Sequence, residues 1–333
     1  MHDVTPAARH PAPHQRAARG TPLRVGTRGS PLALVQCRTV LAQLRRRCPD
    51  SMDAFEEHVI TTTGDAAQAS GRRLAELGGK GLWAKEIHEA LLDRRIDFAV
   101  HSLKDLETTL PAGIVLGCVL AREDARDALI LGPGCGAVDP AQPLAALPAG
   151  AVVGSSSVRR QAQLLHARPD LRIVPMRGNV ATRLEKLAHG VCDATVLAMA
   201  GLRRLGLGKS AAVALDAETM VPAAGQGIIG VTVRADDSDL YALLAAIEDA
   251  AARAAADAER ALLAAVDGSC RTPIGAHARP TPGGELEVTG LIARVDGSFL
   301  LRDSRSGPPA EARRIGRELG SSLRAASPRD VFA

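Results

Sequence analysis

Four short segments of this chain combine hydroxyl, amide and guanidinium side chains at points where an apolar run gives way to a helical one. They are Thr27-Arg28-Gly29-Ser30, Thr61-Thr62-Thr63-Gly64-Asp65, Ser155-Ser156-Ser157-Val158-Arg159-Arg160, and Arg177-Gly178-Asn179 with Thr182 and Arg183. N–H groups at a helix start are unpaired and carry partial positive charge, so such turns hold anions. Taken singly, a Ser or Asn before a helix is more often a cap, and a surface Arg is more often solvated. Recurrence at equivalent strand ends in two stretches of the chain points instead to a cleft for a polyanion. Two further segments carry different chemistry. His101-Ser102-Leu103-Lys104-Asp105 follows the apolar Phe98-Ala99-Val100, at a strand end where open α/β sheets place catalytic groups. Gly268-Ser269-Cys270-Arg271 sets a thiol on a polar loop beside a cation, which favours the reactive thiolate. Cys118 and Cys192 lie in apolar runs, where a thiol is ordinarily structural.

Charge and composition narrow the ligand. The net charge is only +4, but between 151 and 210 ten Arg or Lys face three Asp or Glu, an excess of seven. A basic stretch of this kind suits nucleic acid, membrane phosphate or a small polyanion. Only six aromatic residues occur in the chain, so there is no stacking platform for single strands, and a polycarboxylate or phosphate ligand is favoured. Six cysteines, at 37, 48, 118, 135, 192 and 270, include no C-x-x-C pair. Neither a zinc ribbon nor a disulfide framework is expected, no metal is expected, and reduced thiols suit a cytoplasmic protein. No apolar run approaches the roughly 18 to 20 residues that span a bilayer. Residues 1–20, rich in Ala, His, Pro and Arg, read as a disordered leader rather than a secretory signal.

The elements that must position these groups alternate. Leu23–Thr27 reads as a strand, with a helix opened by Pro31 and capped by Ser30. Glu57–Thr62 reads as a strand, Leu82–Arg94 as a helix and Ile96–His101 as a strand. The pattern restarts with strand Ala151–Gly154, helix Val158–Ala167, strand Arg172–Met176, helix Asn179–Ala188 and strand Ala194–Ala198. Two α/β domains follow from this, each a mostly parallel sheet with helices on both faces. Gly132–Gly150 reads as a loop of the second. After Asp236 an Ala-rich helical segment runs to about Val266. Strands Leu286–Ala293 and Ser298–Arg302 and a helix near Ala310–Arg324 then make a small α+β tail domain.

In sum these segments resemble the porphobilinogen deaminase (hydroxymethylbilane synthase) family. The resemblance runs through Thr27–Leu34, Gly79–Glu86, His101–Asp105, Gly154–Gln161, Arg177–Val180, Ala200–Gly206, Gly225–Gly227 and Cys270–Gly275, in one order over about residues 22 to 325. It implies two periplasmic-binding-protein-like lobes with mixed, mostly parallel sheets around a cleft, and a small C-terminal α+β domain. The first lobe takes 21–122 and 226–247, the second 123–225, and the C-terminal domain 248–333, so the chain crosses between lobes twice. It further implies a dipyrromethane cofactor, itself built from two porphobilinogen units, joined to Cys270 through a thioether. Four more porphobilinogen units are added head to tail with loss of ammonia, and water releases hydroxymethylbilane, an intermediate of haem biosynthesis.

Site residues carry over position by position. Asp105 matches the catalytic carboxylate that stabilises the cationic azafulvene left by amine loss. Ser30, Lys104, Asp105, Ser156, Arg159, Arg160 and Arg183 match the cofactor contacts. Arg28, Arg177, Arg204 and Gln226 match the groups that bind substrate carboxylates, and Lys80 and Trp83 belong to a lid loop. Arg suits this role because its planar fork meets a carboxylate with two parallel hydrogen bonds. A monomer is expected, with no nucleic-acid or membrane partner. Three positions depart from the family's usual residues: Trp83 for Phe, Glu107 for Pro and Ser269 for Gly. A carboxylate at 107, turned inward, favours the protonated form of Asp105. The alternatives are a non-catalytic two-lobed anion-binding protein and a degenerate paralogue. A pure receptor has no use for a carboxylate facing its anion or for a thiol.

Overall fold

The computed structural model describes residues 22–47, 55–69, 81–267 and 272–332. Along these residues run thirteen strands, β1–β13, and nine α-helices, α1–α9, in chain order. The leader 1–20, Lys80, Ser269 and Cys270 lie outside the described residues.

The first strand–helix series forms one five-stranded sheet. Its strands are β1 (Leu23–Thr27), β2 (Phe55–Val59), β3 (Phe98–Ser102), β4 (Ile114–Val119) and β10 (Ile229–Arg234), in the order β2-β1-β3-β10-β4. β1 pairs in parallel with β2 and β3, whereas β10 is antiparallel to β3 and β4. The second series repeats the plan with β5 (Asp127–Leu131), β6 (Val152–Gly154), β7 (Arg172–Val174), β8 (Ala194–Ala198) and β9 (Val213–Leu215), in the order β7-β6-β8-β5-β9. Here β6 is parallel to β7 and β8, and β5 antiparallel to β8 and β9. In both sheets the antiparallel inner strand is the one that the chain enters by crossing from the other sheet. β10 is buried along its whole length, as an inner strand covered on both faces must be.

Helix α1 (Pro31–Arg47) covers the first sheet through Cys37, Val40, Leu41 and Leu44, which meet Val25, Phe98, Val100 and Val231 in one core. The short α2 (Thr63–Ala69) begins inside the segment Thr61–Asp65, and α3 (Lys85–Leu92) packs Ile87 and Leu91 on the opposite face. Around the second sheet lie α4 (Val158–Ala167), α5 (Val180–Ala188) and α6 (Met199–Arg204). The Ala-rich segment is two helices, α7 (Ser238–Ala245) and α8 (Ala250–Val266), capped by Asp237 and Asp249. The tail is an antiparallel sheet, β11 (Ile274–Pro280), β12 (Leu286–Ala293) and β13 (Leu300–Gly307), whose core is shared with α8 and α9 (Ala312–Ala326).

The two crossing segments run side by side. Glu123 N–H donates to Gly227 O at 3.1 Å, and a Cβ at Gly227, where φ is +87°, would stand 2.2 Å from Glu123 O. Only glycine allows that approach and that dihedral together. Glu259, fully buried on α8, fastens the crossing to the tail domain: it accepts from Arg122 Nη1 at 2.5 Å, Gly225 N at 2.6 Å and Ala278 N at 2.7 Å. A carboxylate in such a place is tolerated because a guanidinium and two backbone donors satisfy it.

Candidate active site

A cleft of about 1110 Å³ opens between the two five-stranded sheets. Its walls are the strand-end turns and helix starts singled out in the sequence. Ser30 caps α1, its Oγ accepting from Ala33 N at 3.3 Å; Asn179 caps α5, its Oδ1 accepting from Thr182 N at 2.9 Å. Both helices therefore aim unpaired N–H groups at the cleft. Beyond β3 the chain makes a single 3-10 turn, Leu103–Asp105, and Asp105 ends it half-buried on the cleft floor.

Seven cationic side chains line the cleft: Arg28, Lys104, Arg160, Arg177, Arg183, Lys186 and Arg204. Against them stand two carboxylates, Asp65 and Asp105. Asp65 is engaged, since its oxygens accept from Arg28 Nη2 at 2.5 Å and Nε at 3.2 Å. The other face of the Arg28 guanidinium lies 4.1 Å from the centroid of Trp83, the cation–π arrangement that holds an Arg rigid. Arg183 donates from Nε to Gly178 O at 2.9 Å, and Arg204 from Nη2 to Gly227 O at 2.7 Å. Burial, aided by Arg160, pushes Arg183 down to about 10, and burial likewise lowers Arg204 against the opposing Glu123. Both stay charged at neutral pH, and an anion bound in the cleft offsets the repulsion between Arg183 and Arg160.

Of the residues marked in the sequence, Arg28, Ser30, Trp83, Lys104, Asp105, Arg160, Arg177, Arg183 and Arg204 meet at this cleft. Ser156, Arg159 and Gln226 are not among its lining residues. Ser156 Oγ donates to Met176 O at 2.9 Å at an exposed position. Arg159 is 6% exposed and lies behind the wall, donating from Nη2 to Asp127 Oδ2 at 2.8 Å and from Nη1 to Val221 O at 2.6 Å. Gln226, 1% exposed, donates to Ala125 O and to Asp127 Oδ1, and offers its own Oε1 to Lys104 Nζ at 3.4 Å. Glu107 does not turn into the cleft lining: it packs on Gly81 and His88, where His88 and Arg260 both favour its charged form.

A model described as "Porphobilinogen deaminase, dipyromethane cofactor binding domain" matches residues 23–242, and one described as "Porphobilinogen deaminase, C-terminal domain" matches residues 254–325. The chain belongs to the porphobilinogen deaminase family. Among its relatives, the porphobilinogen deaminase of Paracoccus denitrificans (strain Pd 1222) is 48% identical over 311 residues, 93% of this chain and 96% of its own. That of Syntrophobacter fumaroxidans is 44% identical over 90% of this chain and 94% of its own length. For Sorangium cellulosum the values are 47%, 91% and 99%.

The side chains of this deaminase-family cleft fit a dipyrromethane. Guanidinium and ammonium groups suit its carboxylates, and the Asp105 carboxylate suits pyrrole N–H donors. Three further residues of the site escape the sequence reading. Lys186 lines the cleft one turn of α5 beyond Arg183, and that spacing is the signal that finds it. Gln36 also lines the cleft, with Nε2 2.9 Å from Ser102 Oγ. Asp127, fully buried at the start of β5, accepts from Arg159, from Arg160 Nη2 at 2.6 Å and from Gln226, and so fixes the arginines that form the wall. A charged residue opening an apolar strand always needs such partners.

Lys104 gives this site a pH dependence. Crowding by protein, with Arg160 adding to it and Asp105 opposing, pushes the ammonium down to about 8, while the side chain still meets water through the cleft mouth. Below that pH the group is cationic and attracts carboxylates; above it the charge is lost. The expected result is that kcat/KM for the anionic substrate falls as pH rises through about 8, because that ratio follows free-enzyme groups. In Lys104→Gln the ratio is lower throughout and this alkaline limb is absent. A persisting limb in the variant assigns it to another group.

Proposed function

We propose that this chain joins porphobilinogen units head to tail, releasing one ammonia for each, and liberates hydroxymethylbilane by hydrolysis. It is a transferase of tetrapyrrole and haem biosynthesis with a dipyrromethane cofactor. The observation that carries the mechanism is Asp105: a carboxylate with no guanidinium partner among the described residues, on the floor of a cleft lined by seven cationic side chains. Arginines bind the acetate and propionate groups of the substrate, and their fixed hydrogen bonds keep each guanidinium in place, so little reorganisation accompanies binding.

Departure of the aminomethyl nitrogen as ammonia leaves positive charge on the pyrrole of the incoming unit. Asp105 stabilises that charge and orients the ring by accepting from its N–H. A carboxylate about 4 Å from a unit charge contributes about 4 kcal/mol at an effective dielectric of 20. When bound through Cys270, the cofactor supplies the nucleophilic pyrrole carbon and the primer for the chain. Arg160, Arg183, Ser30 and Lys104 hold it, and Arg28, Arg177 and Arg204 hold the substrate, with Lys80 and Trp83 closing over both. Arg159 and Gln226 act from behind the wall, on Arg160 through Asp127 and directly on Lys104, and Ser156 fixes its own turn by donating to Met176 O.

The lobes correspond to 21–122 with 226–247 and to 123–225, and the C-terminal domain to 248–333. Among the described residues no helix is long and apolar enough to cross a membrane, and we place the protein in the cytoplasm as a monomer. Incubating the purified chain with porphobilinogen tests the reading: ammonia and a linear tetrapyrrole should appear together, in constant ratio. Tight binding of porphobilinogen with no ammonia would make the protein a receptor instead.

A further inference from the structure

Glu107 stands two residues past Asp105 and is not among the residues that line the cleft. Its side chain is 13% exposed, and its Oε1 lies 3.5 Å from Nδ1 of His88, which is 3% exposed on α3. At that separation the contact is a close polar one, short of a formed hydrogen bond. The same Oε1 rests on the turn that precedes α3: a Cβ added at Gly81, where φ is +81°, would stand 2.8 Å from it. Gly81 O in turn accepts from Ala84 N and Lys85 N, opening α3, and Trp83 lies between, its ring on Arg28 and against the backbone of Gly64. The main chain at 107 is held as well, because Arg260 Nη2 on α8 donates to Glu107 O at 2.7 Å and Thr108 O at 3.0 Å.

The electrostatics make this brace directional. Burial pushes the Glu107 carboxyl up, and contact with His88 together with Arg260 outweighs it, so the group sits below the usual range and is charged at neutral pH. His101 packs against His88, with ring centroids 5.9 Å apart, and burial pushes it down to about 3, leaving it neutral. His88 and Arg260 are therefore the groups that hold the carboxylate in its charged form, and losing the imidazole removes one of them.

We propose that Glu107 is a positioning residue whose carboxylate, held between His88 and Gly81, locks the Asp105 turn to the Trp83 turn. The catalytic carboxylate and the Arg28–Trp83 wall are then set as one unit. This rests on the reading of the cleft as the active site. Misplacing a catalytic group by about 1 Å costs up to about a hundredfold in rate, so a brace two residues away has a measurable effect.

The test uses the full-length, cofactor-loaded chain, with turnover expressed per loaded molecule by intact mass. Glu107→Gln and His88→Gln should each lower kcat about tenfold and move KM less, and the double variant should be no slower than either, as partners in one interaction behave. Trp83 is the sole tryptophan, so its emission reports the lid turn directly, and both single variants should shift it. A purely structural role would lower the loaded fraction and leave kcat per loaded molecule and Trp83 emission alone. Single variants with unchanged kcat, or losses that multiply in the double variant, overturn the proposal. If the wild type itself shows no turnover, the active-site reading fails, and the emission comparison still decides whether the brace exists.

Discussion

The Asp105→Asn variant is expected to fold as the wild type does and to lose about a thousandfold in turnover. The substitution keeps the shape and one acceptor oxygen, removes the charge and turns the other oxygen into an N–H donor. At about 4 kcal/mol for a carboxylate beside a developing cation, and about 1.4 kcal/mol per factor of ten, the loss approaches three orders of magnitude. Asp105 shares its cleft with seven cationic side chains. It is the carboxylate on the cleft floor, whereas Asp65 is already committed to Arg28. Steady-state kinetics with porphobilinogen, alongside circular dichroism and a melting curve, checks this. Turnover within about tenfold of wild type would remove Asp105 from the transition state, because a lost charge–charge term of this size cannot leave so small a trace.

Asp127→Ala is expected to lose about 3–5 kcal/mol of stability, the range for removing one partner of a buried ion cluster. Asp127 is fully buried and faces Arg159 at 2.8 Å and Arg160 at 2.6 Å, each 8% exposed or less at the side chain. Its removal leaves two guanidinia in the interior with only carbonyl acceptors. Arg159→Leu should cost less, since Arg160 and Gln226 still satisfy the carboxylate. Equilibrium unfolding in urea, read as a midpoint shift at constant slope, measures both. The cluster also predicts acid sensitivity. The Asp127 carboxyl is held below its ordinary 3.8: burial raises it, but Arg159 and Arg160 outweigh that. Its contribution is therefore complete above about 3.8 and is lost as pH falls below it. Equal unfolding midpoints for Asp127→Ala and Arg159→Leu would mean that the cluster is not the anchor of the wall.

Local signals carried far in this chain. Leu23–Thr27, Val158–Ala167, Ala194–Ala198 and Leu286–Ala293 fold as the elements their patterns suggest, because alternation, helix period and caps at Ser30, Ser157 and Asn179 agree with one another. The inner strands β5 and β10 were not legible. β5 is a short apolar run after its opening Asp127, and β10 alternates Ile229, Val231 and Val233 with Gly230, Thr232 and Arg234 yet is buried on both faces, so packing across the crossings rather than local pattern sets their places. The site shows the same division. Residues at helix starts, such as Ser30, Asn179 and Arg183, announce themselves by cap chemistry. Asp127 and the His88–Glu107 pair do not, because their meaning depends on partners 32 and 19 residues away, and only packing reveals which side of a turn a carboxylate takes.

The central claim is that the cleft works on a primer bound to Cys270, and intact mass under denaturing conditions tests it most directly. The wild-type chain should carry an added mass equal to two porphobilinogen units less their ammonia, and Cys270→Ser should lack it. Brief exposure to porphobilinogen should then add single pyrrole units stepwise. A wild-type chain of unmodified mass that stays unmodified with porphobilinogen, or an equal adduct on Cys270→Ser, would contradict the account.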